Sequence, residues 1–269
     1  MVREPEFEGV QYPSEADELG DLLDRCLHKS ETSGLEGELR GLVTPFGDYE
    51  FAGRTMAAAY QAIDAAPVEP SRVLLIASSV RVPFRGLAVA GYDDWRTPLG
   101  EVPVDSGAVE RAVDTEMARP IEAAFEPAAA LELQLPFLQR TLEGVEIMPV
   151  LVGDAESSSV ADFLEAFWTE ETLLVVVANL SEGFEKSDAE CRDRETIAAI
   201  EAGETDAVGR SDTSARLPIR GMMEVASEGR GRVELLDYRT SAETAGESGR
   251  VVGYAAFSVT SLLSPRDVP

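Results

Sequence analysis

Four short apolar runs, alternating along the chain with stretches of helical character, restrict the fold of this chain more than any other feature. Leu42 to Gly53 (LVTPFGDYEFAG) starts apolar, meets Pro45, which has no amide hydrogen to offer a sheet ladder, and turns at Gly47-Asp48. It then enters RTMAAAYQAI, rich in strong helix formers. Arg72 to Ser78, Ile147 to Val152 and Leu173 to Ala178 are the other runs, the last two separated by an amphipathic helix around Val160 to Trp168. Buried strands alternating with helices predict an α/β fold with a mainly parallel sheet flanked by helices. In such sheets, ligands and catalytic side chains collect on the loops that leave the carboxyl ends of the strands. Phe46, at the centre of the first loop, and Asn179 to Phe184 (NLSEGF), after the last strand, are the positions this points to.

The remaining segments fill in around that frame. Ser14 is expected to cap a first helix, with Asp17 three residues on and Leu19, Leu22, Leu23, Cys26 and Leu27 at helical spacing. His28 falls near its end, where an imidazole suits the negative pole of the helix dipole. Residues 30 to 38 read as a loop, Leu87 to Ala90 and Ile121 to Phe125 as short strands, and Val109 to Ala118 as a helix. Gly91 to Asp105 reads as a long irregular segment, a length more often functional than idle. AAALELQLPFLQRTL (128 to 142) is helix-forming but is expected to kink or restart at Pro136. Helices over 189 to 202 and 217 to 226 precede a closing antiparallel pair, Arg232 to Tyr238 and Arg250 to Thr260, joined by the polar loop TSAETAGES. No repeat or linker interrupts the chain, so one domain over 1–269 is expected.

Charge narrows the partners. With 50 acidic and 23 basic residues the formal net charge is -27, and Lys29 and Lys186 are the only lysines. Self-repulsion of that size destabilises a compact state unless salt screens it. The composition resembles that of cytoplasmic proteins in salt-in halophilic archaea, so a high-salt cytoplasm is the expected location. Nucleic acid and anionic membranes, which need a basic face, are not expected partners. The start MVREPEFEG lacks a signal-peptide core, and the longest apolar run is too short to span a bilayer. Cys26 and Cys191, far apart and in no CxxC, are expected to be buried reduced thiols.

Familiar catalytic signatures are missing. No GxGxxG follows a strand, no GxxxxGK[ST] or GxSxG occurs, and HExxH is impossible with one histidine. Acid-base chemistry would fall to carboxylates, tyrosines or cysteines. Asp48, Tyr49, Asn179, Ser181 and Glu182 are expected to converge at the strand ends, with Asp93, Asp94 and Arg96 approaching on the long loop. Asp48 and Glu182 are the candidate catalytic pair, as oxygen ligands for Mg²⁺, Mn²⁺ or Ca²⁺ or as an acid-base couple; on so acidic a chain they also read as solvated acids. Ser78 and Ser79 end a strand with no base in sequence to activate them.

A set of segments carries a resemblance: YPSEADEL (12–19), TPFGDYEFAG (44–53), TPLGEVPVD (97–105), LELQLPFLQ (131–139), IMPVLVG (147–153), RLPI (216–219), YRTS (238–241) and VVGYAAFSV (251–259). Their order and spacing resemble the Memo family, which includes the AmmeMemoRadiSam system protein B type. The resemblance spans nearly the whole chain and implies a fold similar to the catalytic subunit of class III extradiol dioxygenases, with an iron or copper site at the strand ends. Residue by residue that site does not carry over. The family's PHAGY is Pro45-Phe46-Gly47-Asp48-Tyr49, and its GPSH is Ala77-Ser78-Ser79-Val80. EHS is Ala128-Ala129-Ala130, SSDLSH is Val177-Ala178-Asn179-Leu180-Ser181-Glu182, and the cysteine before RxPI is Ser214. Phe46, Val80, Ala129, Asn179, Glu182 and Ser214 thus stand as vestiges of a metal site. Hydrocarbon side chains have no lone pair with which to replace a metal's water, so Phe46 and Val80 are expected to pack.

The reading that follows is a catalytically degenerate, metal-free binding or scaffold protein that uses the old cleft or the LELQLPFLQ region to meet a protein or small molecule, with no cofactor expected. The alternatives are an enzyme with a relocated carboxylate site using Mg²⁺ or Mn²⁺, a metal-binding redox or dioxygenase-like protein, and a subunit pairing with an intact Memo paralogue. By resemblance alone, an AMMECR1-like protein and a radical-SAM protein are further candidate partners.

Overall fold

A computed structural model of the chain describes residues 1–28, 35, 37–64, 70–209, 212–228, 231–245 and 249–261. In chain order the elements are β1 (Val2–Arg3), α1 (Ala16–Leu27), β2 (Glu38–Thr44), α2 (Gly53–Asp64), β3 (Arg72–Ser78), β4 (Leu87–Val89), β5 (Asp94–Thr97), β6 (Gly100–Pro103), α3 (Ser106–Asp114), β7 (Arg119–Pro120), α4 (Ala129–Glu132), α5 (Leu135–Thr141), β8 (Glu146–Val152), α6 (Ser157–Phe167), β9 (Thr172–Val177), β10 (Glu182–Glu185), α7 (Lys186–Ala202), α8 (Arg216–Glu228), β11 (Gly231–Thr240), α9 (Ser241–Ala245) and β12 (Arg250–Ser261).

The large sheet is ordered β10-β12-β2-β9-β3-β8-β4-β7, with β11 also paired to β12. Its centre, β2, β9, β3 and β8, is parallel; β12 runs against β2 and β4 against β8, and β7 at the far edge runs parallel to β4. Every residue of β9, and all but the first of β8, is buried, because helices cover both faces and no alternation with water-facing residues is needed. One helical group places α2 on β2 and β12 with α1 and α5 against it, and another places α8 on β3 and β9 with α6 against α8. Register fixes the functional edge. Thr44 pairs with Val177, Val177 with Ala77 and Ser78 with Val152, so the four central strands end side by side.

Several expectations are corrected. Helix α1 has Glu15, not Ser14, at its N-cap, with no side-chain capping bond. Gly91 to Asp105 is not irregular: β5 and β6 form a hairpin that joins β1 in a three-stranded sheet, since Trp95 is an anchor buried beneath the Arg3 guanidinium, 4.2 Å away. Ile121 to Phe125 is a 3₁₀ turn at Glu122–Ala124 in place of a strand, following β7, which Pro120 closes. The NLSEGF loop becomes edge strand β10 from Glu182 onward. The linker TSAETAGES starts as helix α9, and its 246–248 portion lies outside the described residues, as do 30–34 and 36 of the expected loop at 30 to 38. Cys26 is half-buried, but Cys191 is exposed on α7.

His28 does occupy the C-cap of α1, and the long helix-forming segment does restart, with Pro136 in the first turn of α5. Its polar residues explain why that segment is placed so firmly. Buried Glu132 accepts from Arg3 Nη1 (2.7 Å), Tyr12 Oη (2.8 Å) and the amides of Phe7 (2.9 Å) and Glu6 (3.1 Å). Gln134 ties Thr44 and Tyr60 through Oε1 and the Pro45 carbonyl through Nε2. Gln139 holds the β5–β6 hairpin through Thr97. Leu131, Leu133, Leu135, Phe137 and Leu138 are all fully buried, so LELQLPFLQ is an internal clamp and not a docking face.

Candidate functional site

The loops leaving β2 and β3, residues of the 124–130 stretch and Ser214 surround a cavity of about 160 Å³. Among its lining residues are Phe46, Val80, Ala129 and Ser214, four positions drawn from four separate segments of sequence. Its floor is Ala77, Leu151 and Val177, the buried ends of β3, β8 and β9. Phe7 and Gln11 close one side, so the N-terminal segment held by Glu132 is also a wall of the cavity.

Asn179 joins the walls without lining them. Its Oδ1 accepts from the Phe46 amide (3.0 Å), its own amide donates to Ser214 Oγ (2.9 Å), and its carbonyl accepts from the Ser214 amide (3.0 Å) and Thr213 Oγ1 (2.8 Å). Its Nδ2 donates to Glu182 Oε1 at 3.2 Å. Phe46, Asn179, Ser214 and Glu182 are therefore one connected unit. Phe46 is half-buried and packs against the core, as expected. Val80 is not a packing residue: it is 69% exposed, because it lies beyond Ser79, whose amide makes the last bond to β8 at Val152.

Asp48 and Glu182 both act electrostatically on a residue the sequence reading missed, Tyr254. Burial, followed by the charges of Asp48 and Glu182, pushes the Tyr254 phenol up to about 12, so it stays protonated at neutral pH. A side chain on Gly47 would come within 3.2 Å of the Tyr254 hydroxyl, which places that oxygen under the β2 loop. Tyr254 lies in VVGYAAFSV, a segment that reads as strand, so only its recurrence beside the other matched segments hinted at it. Tyr49 instead turns inward and donates to the Leu133 carbonyl at 2.6 Å. Ser181 is buried behind the site, its amide donating to Asp193 Oδ1 at 2.9 Å. Asp93, Asp94 and Arg96 do not line the cavity: Asp93 pairs with the N-terminal ammonium, and Arg96 pairs with Glu4 and Glu101.

Chemically, the lining offers hydrocarbon, hydroxyls, one amide and one guanidinium. Ser79 Oγ is spent on the Val82 carbonyl (2.7 Å) and Ser214 Oγ on the Asn179 amide. Such a set does not fit the iron or copper that a dioxygenase-like fold implies, because neither imidazole, thiolate nor carboxylate points from these positions. Among the described residues no group of three or more His, Cys, Asp or Glu side chains is arranged to hold a metal ion. No helix among them is long and apolar enough to cross a membrane.

Residues 3–258 match the model of the family described as Memo-like protein. A MEMO1 family protein of Archaeoglobus fulgidus is 30% identical, with 94% of this chain and 98% of that protein covered. Another from Aquifex aeolicus is 27% identical, with 94% and 97% covered. Among solved structures, an uncharacterized protein of Escherichia coli K12 superposes with a TM-score of 0.53 at 12% identity, over 82% of this chain and 99% of that one. That likeness speaks to the fold alone.

Proposed function

From the premise that this chain belongs to the Memo-like family, we propose that it is a metal-free binding protein, a pseudoenzyme that keeps the family's cavity and has lost its ligands. One observation carries the reading: positions matched to the family's ligand motifs (Phe46, Val80, Ala129 and Ser214) surround a single cavity, and none of them presents a metal-binding group. Asn179 supports it further, since the residue in the aspartate's place is committed to holding the walls together. A protein partner, whether AMMECR1-like, radical-SAM or an intact Memo paralogue, belongs to this proposal by resemblance.

The test is metal content by elemental analysis of untagged protein, before and after incubation with Fe²⁺, Cu⁺, Zn²⁺, Mn²⁺ and Mg²⁺. The expected result is no stoichiometric metal. One equivalent of iron or copper would sink the proposal and restore a redox or dioxygenase-like role. A second reading takes Asp48 and Glu182, whose charges both raise the Tyr254 pKa, as a carboxylate site for Mg²⁺ or Mn²⁺. It requires one equivalent of either ion, lost in both Asp48→Ala and Glu182→Ala.

We also assign the protein to a high-salt cytoplasm, on its net charge of -27. Lowering KCl from about 1 M to 0.1 M lengthens the screening distance from about 3 Å to 10 Å. Thermal unfolding followed by circular dichroism is expected to show the midpoint falling steadily across that range. A midpoint independent of KCl would remove the assignment.

A further inference from the structure

The cavity lining departs from the composition of the chain. Acids outnumber bases 50 to 23 overall, yet no carboxylate lines this cavity and Arg81 is its one charged residue. Arg81 is exposed at the mouth, and no ion pair engages it among the described residues, whereas Arg72, Arg96, Arg140 and Arg239 each face an acid. Its loop is fixed by its neighbours. The Ser79 amide bonds to the Val152 carbonyl, and Ser79 Oγ bonds across Arg81 to the Val82 carbonyl. Beside it Val80 leaves apolar surface in water at the same mouth.

We infer that the cavity takes a compact monocarboxylate, its apolar body on the Ala77, Leu151 and Val177 floor and its carboxylate on the Arg81 guanidinium. This rests on the binding reading above and adds the ligand class. The volume, about 160 Å³, is close to that of a buried apolar cavity known to hold benzene, so one six-carbon body fits. A cationic ligand would meet Arg81 with like charge. A wholly apolar one would leave the guanidinium without a counter-charge. A planar guanidinium matches a carboxylate in two-point geometry, and one such group suits a single negative charge better than a phosphate dianion.

The experiment is calorimetric titration of the full chain with benzoate, benzamide and inorganic phosphate, at the lowest KCl concentration that keeps it folded. Benzoate is expected to bind, with benzamide about fivefold weaker, the size of an exposed charged pair. Arg81→Gln is expected to weaken benzoate about fivefold and leave benzamide unchanged. Ala129→Leu, checked for folding by circular dichroism, is expected to abolish both by filling the cavity. Equal affinity for benzamide, indifference to Arg81→Gln, or tighter binding of phosphate overturns the carboxylate assignment while leaving a binding cavity. Failure of both aromatic probes to bind the wild type overturns the ligand assignment, whereas the binding reading itself falls only to stoichiometric iron or copper in the elemental analysis.

Discussion

Glu132→Ala is expected to destabilise the protein by about 3–5 kcal/mol, the range for removing one partner of a buried ion pair. Glu132 is fully buried and Arg3 is 4% exposed, so water cannot take the carboxylate's place. The substitution strands the Arg3 guanidinium, the Tyr12 hydroxyl and the amides of Glu6 and Phe7 at once. Arg3 keeps the carbonyls of Phe125 and Glu126 and the face of Trp95, which holds the loss below that of an isolated buried charge. In the wild type, burial, followed by the Glu132 charge, holds the Tyr12 phenol well above its ordinary range, so it meets the carboxylate as a donor. Urea denaturation at fixed KCl measures the loss. Hydrogen exchange at residues 4–12 then separates global unfolding from undocking of the N-terminal segment alone. An apolar replacement of both partners, Arg3→Met with Glu132→Leu, should recover most of the stability, because the desolvation cost goes with the charges. A loss under about 1 kcal/mol for Glu132→Ala would show that the clamp does not hold the segment. Because Phe7 and Gln11 line the cavity, the same variant should also weaken any ligand bound there.

That clamp also marks the boundary of what the sequence discloses. The central strands are legible, since continuous apolar runs such as Leu173 to Ala178 need two covered faces and so announce a buried parallel sheet. The strand-end loops follow from them, which is how the sequence alone singles out Phe46 and Asn179. Glu132 and Gln134 are not legible in the same way. On a helical pattern they look like solvent positions, and the groups that bury them lie up to 129 residues away. Tyr254 and Asp193 escape notice for the same reason, because each is defined by neighbours on other strands. Val80 fails differently: an apolar residue after a strand resembles core, but one position beyond the last ladder bond it points into water. The Gly91 to Asp105 segment hides its strands because two prolines and two glycines resemble a loop. Pro98 instead sits in the turn of a hairpin and Gly100 and Pro103 begin and end its second strand, and the only strong signal is Trp95.

Gly253→Ala is expected to cost about 2–4 kcal/mol, by overpacking and by disturbing a buried polar group. A methyl group on Gly253 would stand 2.0 Å from Asp193 Oδ2 and 2.7 Å from its Cγ. Asp193 cannot withdraw, since it is fully buried and accepts from the Ser181 amide (2.9 Å) and the Tyr238 hydroxyl (2.8 Å). Nor can Gly253 move alone, because its amide and carbonyl bond to Ser181 and Leu180 on the loop that carries Asn179. The strain therefore reaches the residue that ties Phe46 to Ser214. Asp193→Ala alone should cost about 1–3 kcal/mol by orphaning the Ser181 amide and Tyr238 hydroxyl, while the double variant should cost less than the sum, as the methyl occupies vacated space. Additive losses in denaturant titrations would mean that the two side chains do not meet. Burial raises the Asp193 pKa above its ordinary value despite those hydrogen bonds. The folded state therefore holds that proton more tightly than the unfolded one, and its contribution is full below the unfolded pKa and lost as pH rises through the folded pKa. Relative to Asp193→Asn, the wild type should accordingly lose stability over that window and run parallel to it above.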